Sequence, residues 1–178
     1  MPTLLIAAAI VLSTLGIACV TLKVRRALDQ GDPRPEVFFL RSAMLSPEER
    51  TLQAALLALD LEDVSVAPKV QVAAVIGLKP RTPWAERQRA LARTERSHFD
   101  FLLIRRTDGQ PLLALELDRR STDEEDLTPR DAFIGTVCSA TGLPVLRLPV
   151  RSGYDLRSLH RQIDAGLART RLLEPATA

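Results

Sequence analysis

Three carboxylates, Asp100, Glu116 and Asp118, lie inside runs of large apolar side chains. The runs are His98-Phe-Asp-Phe-Leu-Leu-Ile104 and Leu112-Leu-Ala-Leu-Glu-Leu-Asp118. Burying a carboxylate costs several kcal/mol unless it is paired or bound to a cation. Clustered oxygen donors are also what a hard divalent ion such as Mg²⁺ or Mn²⁺ takes. The three acids are therefore candidate metal ligands, the alternative being a pair of solvated acids on an edge strand. Such an ion would polarise a phosphate and generate hydroxide from bound water.

Both runs alternate and are rich in large apolar residues, so each is predicted to be a strand, with Asp108-Gly109 marking a hairpin. Period-two geometry puts Glu116 and Asp118 on one face of the second strand and Leu113, Leu115 and Leu117 on the other. Whether Asp100 joins them depends on register. A two-residue turn sets Asp100 opposite Leu117, on the wrong face. A three-residue loop, or one bulge, sets it opposite Asp118 and diagonal to Glu116. The odd-numbered loop is the expected arrangement.

The other elements are legible from caps and periodicity. Ser46-Pro-Glu-Glu49 is a capping box that starts a helix whose stripe is Leu52, Ala55, Leu56 and Leu59; capping already explains Glu49, the alternative being a reach toward a metal or its surroundings. Residues 65–72 alternate as a strand, with Pro68 at an edge or bulge and Lys69 and Gln71 on one face. A basic loop and a short helix from Trp84 to Arg93 follow, with Trp84 expected as a packing anchor. Thr128-Pro-Arg-Asp131 starts a helix that Gly142 ends; Phe133, Val137 and Ala140 are its predicted buried stripe, and Cys138 a small core residue. Leu143 to Pro149 is a fourth strand, parallel to the acidic one through a β-α-β crossover. Tyr154 to Leu167 closes the domain as a helix. His98 and His160 are expected in surface or capping roles.

Thr3 to Leu22 is uncharged and apolar, about the roughly 20 residues that cross a bilayer. Lys23, Arg25 and Arg26 follow it, which predicts a single-pass anchor in the inner (cytoplasmic) membrane with the rest of the chain in the cytoplasm. The expected organisation is an anchor over 1–23, a juxtamembrane linker over 24–44, one domain over 45–170 and a flexible tail over 171–178. Cys19 and Cys138 make no disulfide framework, which fits a reducing compartment. Twenty-four basic against twenty-two acidic side chains leave a formal charge of only +2, which argues against a strongly nonspecific polyanion binder. The distribution is uneven, however. Lys79, Arg81, Arg87, Arg89, Arg93, Arg96, Arg105 and Arg106 flank the first acidic strand, while Asp123 to Asp126 follow the second.

Leu45-Ser-Pro-Glu-Glu49, Pro68-Lys-Val70, Phe99-Asp-Phe101, Leu115-Glu-Leu-Asp118, Arg130-Asp-Ala-Phe133 and Gly142-Leu-Pro-Val-Leu-Arg-Leu-Pro149, followed by Tyr154, occur in this order. Over these pieces the chain resembles a bacterial domain family of unknown function in the PD-(D/E)XK nuclease superfamily, related to the very-short-patch-repair-type endonucleases. The resemblance implies an α/β restriction-endonuclease-like core, α-β-β-β-α-β, with a mixed sheet flanked by helices and preceded by one transmembrane helix. It also implies that Asp100 and Glu116 hold Mg²⁺ or Mn²⁺, with Asp118 where the superfamily usually has a Lys. Thr122, beside Ser121, stands where the related endonucleases often carry a His. Lys69 is the candidate substitute for the absent Lys, and Arg93, Arg96, Arg119 and Arg130 are the candidate contacts to a nucleic-acid substrate. Two functions follow: a membrane-anchored, metal-dependent phosphodiester hydrolase, or a catalytically degenerate nuclease-fold module that binds or interacts at the inner membrane face.

Overall fold

The computed structural model describes residues 16–23, 34–119 and 128–173, in two compact units, Met1–Met44 and Leu45–Ala178. In the first unit residues 16–23 are helical and Pro35–Val37 forms a 3₁₀ turn. Among the described residues no helix is long and apolar enough to cross a membrane. That finding corrects the transmembrane helix expected over residues 3–22 and the single-pass inner-membrane placement drawn from it. Residues 3–15 of the apolar run, most of the expected linker at 24–33, the segment 120–127 with Ser121 and Thr122, and the tail from 174 lie outside the described residues.

The second unit begins with helix α1 (Pro47–Ala58). Its capping box is complete: Glu49 N–H donates to Ser46 Oγ, and Ser46 N–H donates to Glu49 Oε2. Strand β1 (Val64–Gln71) follows, then a single helical turn α2 (Val72–Val75) and helix α3 (Trp84–Glu95). Strands β2 (His98–Arg105) and β3 (Pro111–Asp118), helix α4 (Pro129–Thr141), strand β4 (Val145–Pro149) and helix α5 (Leu156–Leu173) complete the order. The sheet runs β1-β2-β3-β4, antiparallel except for the parallel β3–β4 pair on either side of α4. Pro68 sits on the edge strand, where its missing N–H breaks no interior ladder. The molecule is thus α/β, with a four-stranded mixed sheet flanked by helices.

Alternation along β2 and β3 divides the core between the two faces of the sheet. On one face Phe101, Leu103, Leu113 and Leu115 pack with Leu52 and Leu56 of α1 and Leu159 and Ile163 of α5. On the other, Leu102 and Ala114 pack with Val72 of α2 and with Ile134 and Cys138 of α4. The buried stripe of α4 is therefore Ile134 and Cys138 rather than the expected Phe133, Val137 and Ala140. Phe133 turns its ring instead toward the Arg93 guanidinium, 4.7 Å from the ring centroid. Trp84 is 76% exposed, so it is no packing anchor. Helix α3 buries only Thr94 and offers the indole nothing to pack on.

Register is set by a bulge. The hairpin loop is closed by Arg105 N–H on Gln110 O, with Gly109 in the left-handed conformation (φ 75°), so the odd-numbered loop does not form. Ile104 pairs with Pro111 but Leu103 pairs with Leu113, so one extra residue, Leu112, is taken up in β3. That one-residue shift puts Asp100 and Glu116 on the same face. They meet side by side, since Phe101 pairs with Leu115, and not with Asp100 opposite Asp118 as expected.

Ile163 is fully buried between α5 and the sheet. Ile163→Ala is expected to lower the unfolding free energy in urea by about 2–5 kcal/mol. A loss below about 1 kcal/mol would mean that α5 is not part of the core.

Candidate functional site

Asp100 and Glu116 are 1% and 2% exposed, an unusual state for two adjacent acids. The strands tie them together: Asp100 N–H donates to Glu116 Oε1 at 3.3 Å, and Leu117 N–H donates to Asp100 Oδ2 at 2.9 Å. Burial, and after it the neighbouring Asp100 charge, push the Glu116 carboxyl from its ordinary 4.5 to about 7. The Arg130 guanidinium opposes this rise without cancelling it.

Three cations close over the pair from three different elements. Arg130, in the first turn of α4, places Nη2 at 3.3 Å from Asp100 Oδ1 and 3.0 Å from Glu116 Oε2, and donates to His98 O at 2.8 Å. Arg119, just past β3, places Nη1 at 3.6 Å from Asp100 Oδ2 and donates from Nη2 to Glu49 Oε1 at 2.7 Å. Lys69 lies opposite Asp100 in the β1–β2 ladder, between the Pro68–Phe101 and Val70–Phe99 pairs. Its Nζ is 3.9 Å from Asp100 Oδ1 and donates to Glu49 Oε1 at 2.6 Å. Lys69 also holds φ at 54°, a left-handed backbone that costs a non-glycine residue about 1–2 kcal/mol. Strain of this kind persists only where its surroundings enforce it, often at a functional site.

Glu49 belongs to this cluster, although capping accounts for it in the sequence. One carboxylate oxygen closes the capping box while the other receives Lys69 and Arg119. Its burial alone would raise its pKa, but the Lys69 hydrogen bond, the Ser46 amide and the two cations lower it below the usual range. The signal available in sequence was a capping glutamate that needs only one of its two oxygens for the cap. His98 also enters the site, contrary to the surface role expected of it. It is half-buried with Nε2 3.5 Å from Lys69 Nζ, and burial with the Lys69 and Arg130 charges lowers its pKa. Arg147 on β4 stands beside Glu116 in the parallel ladder and donates to Asp131 O at 2.8 Å.

Of the residues singled out in the sequence, the structure brings together Asp100, Glu116, Lys69, Arg119 and Arg130. Asp118 lies two residues beyond Glu116 on the same strand. It ends β3 half-buried and lines a surface depression with Glu48, Arg119, Pro149 and Val150. Arg93 is engaged in structure, donating to Pro129 O at 2.8 Å and covering Phe133, while Arg96 caps the end of α3 on the surface. His160 pairs with Asp164 on α5. Burial pushes the Cys138 thiol up to about 11, which suits a core residue. Among the described residues no group of three or more His, Cys, Asp or Glu is arranged to hold a metal ion.

A family model described as "Protein of unknown function (DUF2726)" matches residues 41–166. No curated protein matches, and no solved structure does.

The raised Glu116 pKa fixes a pH dependence. A group that binds its proton more tightly when folded adds stability below its unfolded pKa and loses it as pH rises through the folded one. Glu116 therefore weakens the fold between pH 4.5 and about 7, by an amount on the order of 3 kcal/mol. Glu116→Gln is expected to remove most of this decline, so that the variant gains on the parent as urea midpoints are compared from pH 4.5 to 8. An unchanged difference across that range would mean that Glu116 is ionised throughout.

Proposed function

This chain belongs to the family described as "Protein of unknown function (DUF2726)", and we propose that it is a PD-(D/E)XK nuclease-like domain, related to the very-short-patch-repair-type endonucleases, that holds a nucleic-acid phosphate backbone without cutting it. The observation that carries the reading is the layering of the site. The acids are sealed, whereas the side chains of Lys69, Arg119 and Arg130 above them are 25%, 46% and 33% exposed. The inner edges of the cations fix the acids, and their outer edges face solvent, where Arg forks match phosphate oxygens. The first turns of α1 and α4 both reach this cluster, since Glu49 and Arg130 come from them, and the positive ends of the two helix dipoles favour anions there.

The fold resemblance implies a divalent metal, and the residues fit one poorly. The donor chemistry is right, two carboxylates on adjacent strands, but Arg130 stands within ion-pair distance of both. Asp118, the expected third ligand, lines a surface depression with Arg119, which itself reaches Asp100. Without the superfamily's Lys on β3, proton transfer to or from the reacting groups would fall to Lys69, which is already bound to Glu49. A second reading, phosphodiester hydrolysis with Mg²⁺ or Mn²⁺, is favoured by one observation: Glu116 Oε2 is buried without a hydrogen bond. An oxygen in that state suits a cation.

Anisotropy titrations of the full chain against single- and double-stranded DNA and RNA, with gels run in Mg²⁺ and Mn²⁺, separate the readings. Binding is expected without cleavage, with log K against log salt falling at a slope near −3 on duplex DNA if the three cations each meet a phosphate. Arg119→Ala is expected to weaken binding by about tenfold and to make that slope shallower by about one. Metal-dependent cleavage abolished by Asp100→Asn would establish the second reading instead. Absence of binding by the folded protein would defeat both.

A further inference from the structure

We infer that Arg130 is a built-in cation occupying the place of a divalent metal, and that removing its side chain converts the acid pair into a metal site. Nη2 lies within 3.3 Å of three oxygens: His98 O at 2.8 Å, Glu116 Oε2 at 3.0 Å and Asp100 Oδ1 at 3.3 Å. Two carboxylates and a backbone carbonyl are the hard donors that Mg²⁺ and Mn²⁺ select. The contact with Glu116 is also ion-like: Oε2 is close to Nη2 yet has no hydrogen bond, so the guanidinium acts there as a charge and not as a directed donor. Arg130 Nε is likewise buried without a partner. An arginine placed for its forked hydrogen-bonding geometry would use that N–H. Nη1 adds only a 3.6 Å approach to Asp131 Oδ1.

The tether is rigid. Arg130 follows Pro129 in the first turn of α4, and that turn is pinned by Thr128 as its cap, by Arg93 on Pro129 O and by Arg147 on Asp131 O. Ile134 and Cys138 bury the next turns against the sheet. The positive charge is therefore delivered by the fold and does not depend on ion concentration, and a free divalent ion must displace it to reach the two acids. This goes beyond nucleic-acid binding and does not use it, so either can fail while the other stands.

The test is Mn²⁺ binding by the full chain, read as paramagnetic broadening of the Asp100 and Leu117 amide signals and as a calorimetric Kd. The parent is expected to bind weakly at this site, and Arg130→Ala at least about tenfold more tightly, since a dication then meets one fixed positive charge fewer and finds the place between the two acids open. Arg130→Lys, which keeps the charge, is expected to stay near the parent, and adding Glu116→Gln to Arg130→Ala is expected to abolish the gain. Equal broadening in the parent and Arg130→Ala, or a folded Arg130→Ala with no gain, overturns the inference. If Arg130→Ala unfolds, recovery of its fold by Mn²⁺ but not by Na⁺ at equal ionic strength is the expected result. Failure to recover overturns it as well.

Discussion

Two carboxylates that cannot reach water stand side by side on neighbouring strands, and much of the surrounding structure answers to that constraint. Removing Asp100 and Glu116 from solvent carries a desolvation cost, and the Asp100 charge raises the cost of ionising Glu116. Low local dielectric makes the same site responsive to any cation brought near it. The strands offer a partial answer through the Asp100 and Leu117 amides. The remainder comes from Lys69, Arg119 and Arg130, each supplied by a different element. Removing one member of such a network leaves an uncompensated buried charge, which is why its parts act as a unit.

Local irregularities of the fold serve this arrangement. The Leu112 bulge turns Asp100 to the face of Glu116; without that one-residue shift the two acids would lie on opposite sides of the sheet. The left-handed backbone of Lys69 accompanies an ammonium that reaches Glu49 at 2.6 Å while staying within 3.9 Å of Asp100. Helix α1 brings Glu49 to the cluster by its first turn, and helix α4 brings Arg130 by its own. Both helices start at a proline after a Ser or Thr cap, so local sequence chemistry fixes where the charged groups enter.

What could be read in the sequence follows from the range of the interactions involved. Caps and alternation are local, so the starts of α1 and α4, the four strands and the parallel crossover were all legible. The convergence of Asp100 with Glu116 was legible only as a conditional, because register depends on where a bulge falls. Its outcome differed in detail: a bulge replaced the odd-numbered loop, and Glu116 rather than Asp118 became the partner. Trp84 was misread because helix α3 has too thin an apolar stripe to cover an indole. Glu49 was legible as a cap with a reach toward the site as the alternative, and the structure gives one carboxylate oxygen to each. The apolar run at 3–22 was read from hydropathy and its basic flank, and among the described residues no helix is long and apolar enough to cross a membrane.

The central claim is that Arg130 and Glu116 are energetically coupled, the guanidinium standing as the cation of the acid pair. A double-mutant cycle in urea at pH 8, with Arg130→Gln, Glu116→Gln and the pair, measures that coupling directly. The account predicts that the effects of the two single changes do not add, the double variant departing from their sum by at least about 1 kcal/mol, because each change removes the charge that the other residue faces. Additivity within about 0.5 kcal/mol would contradict it.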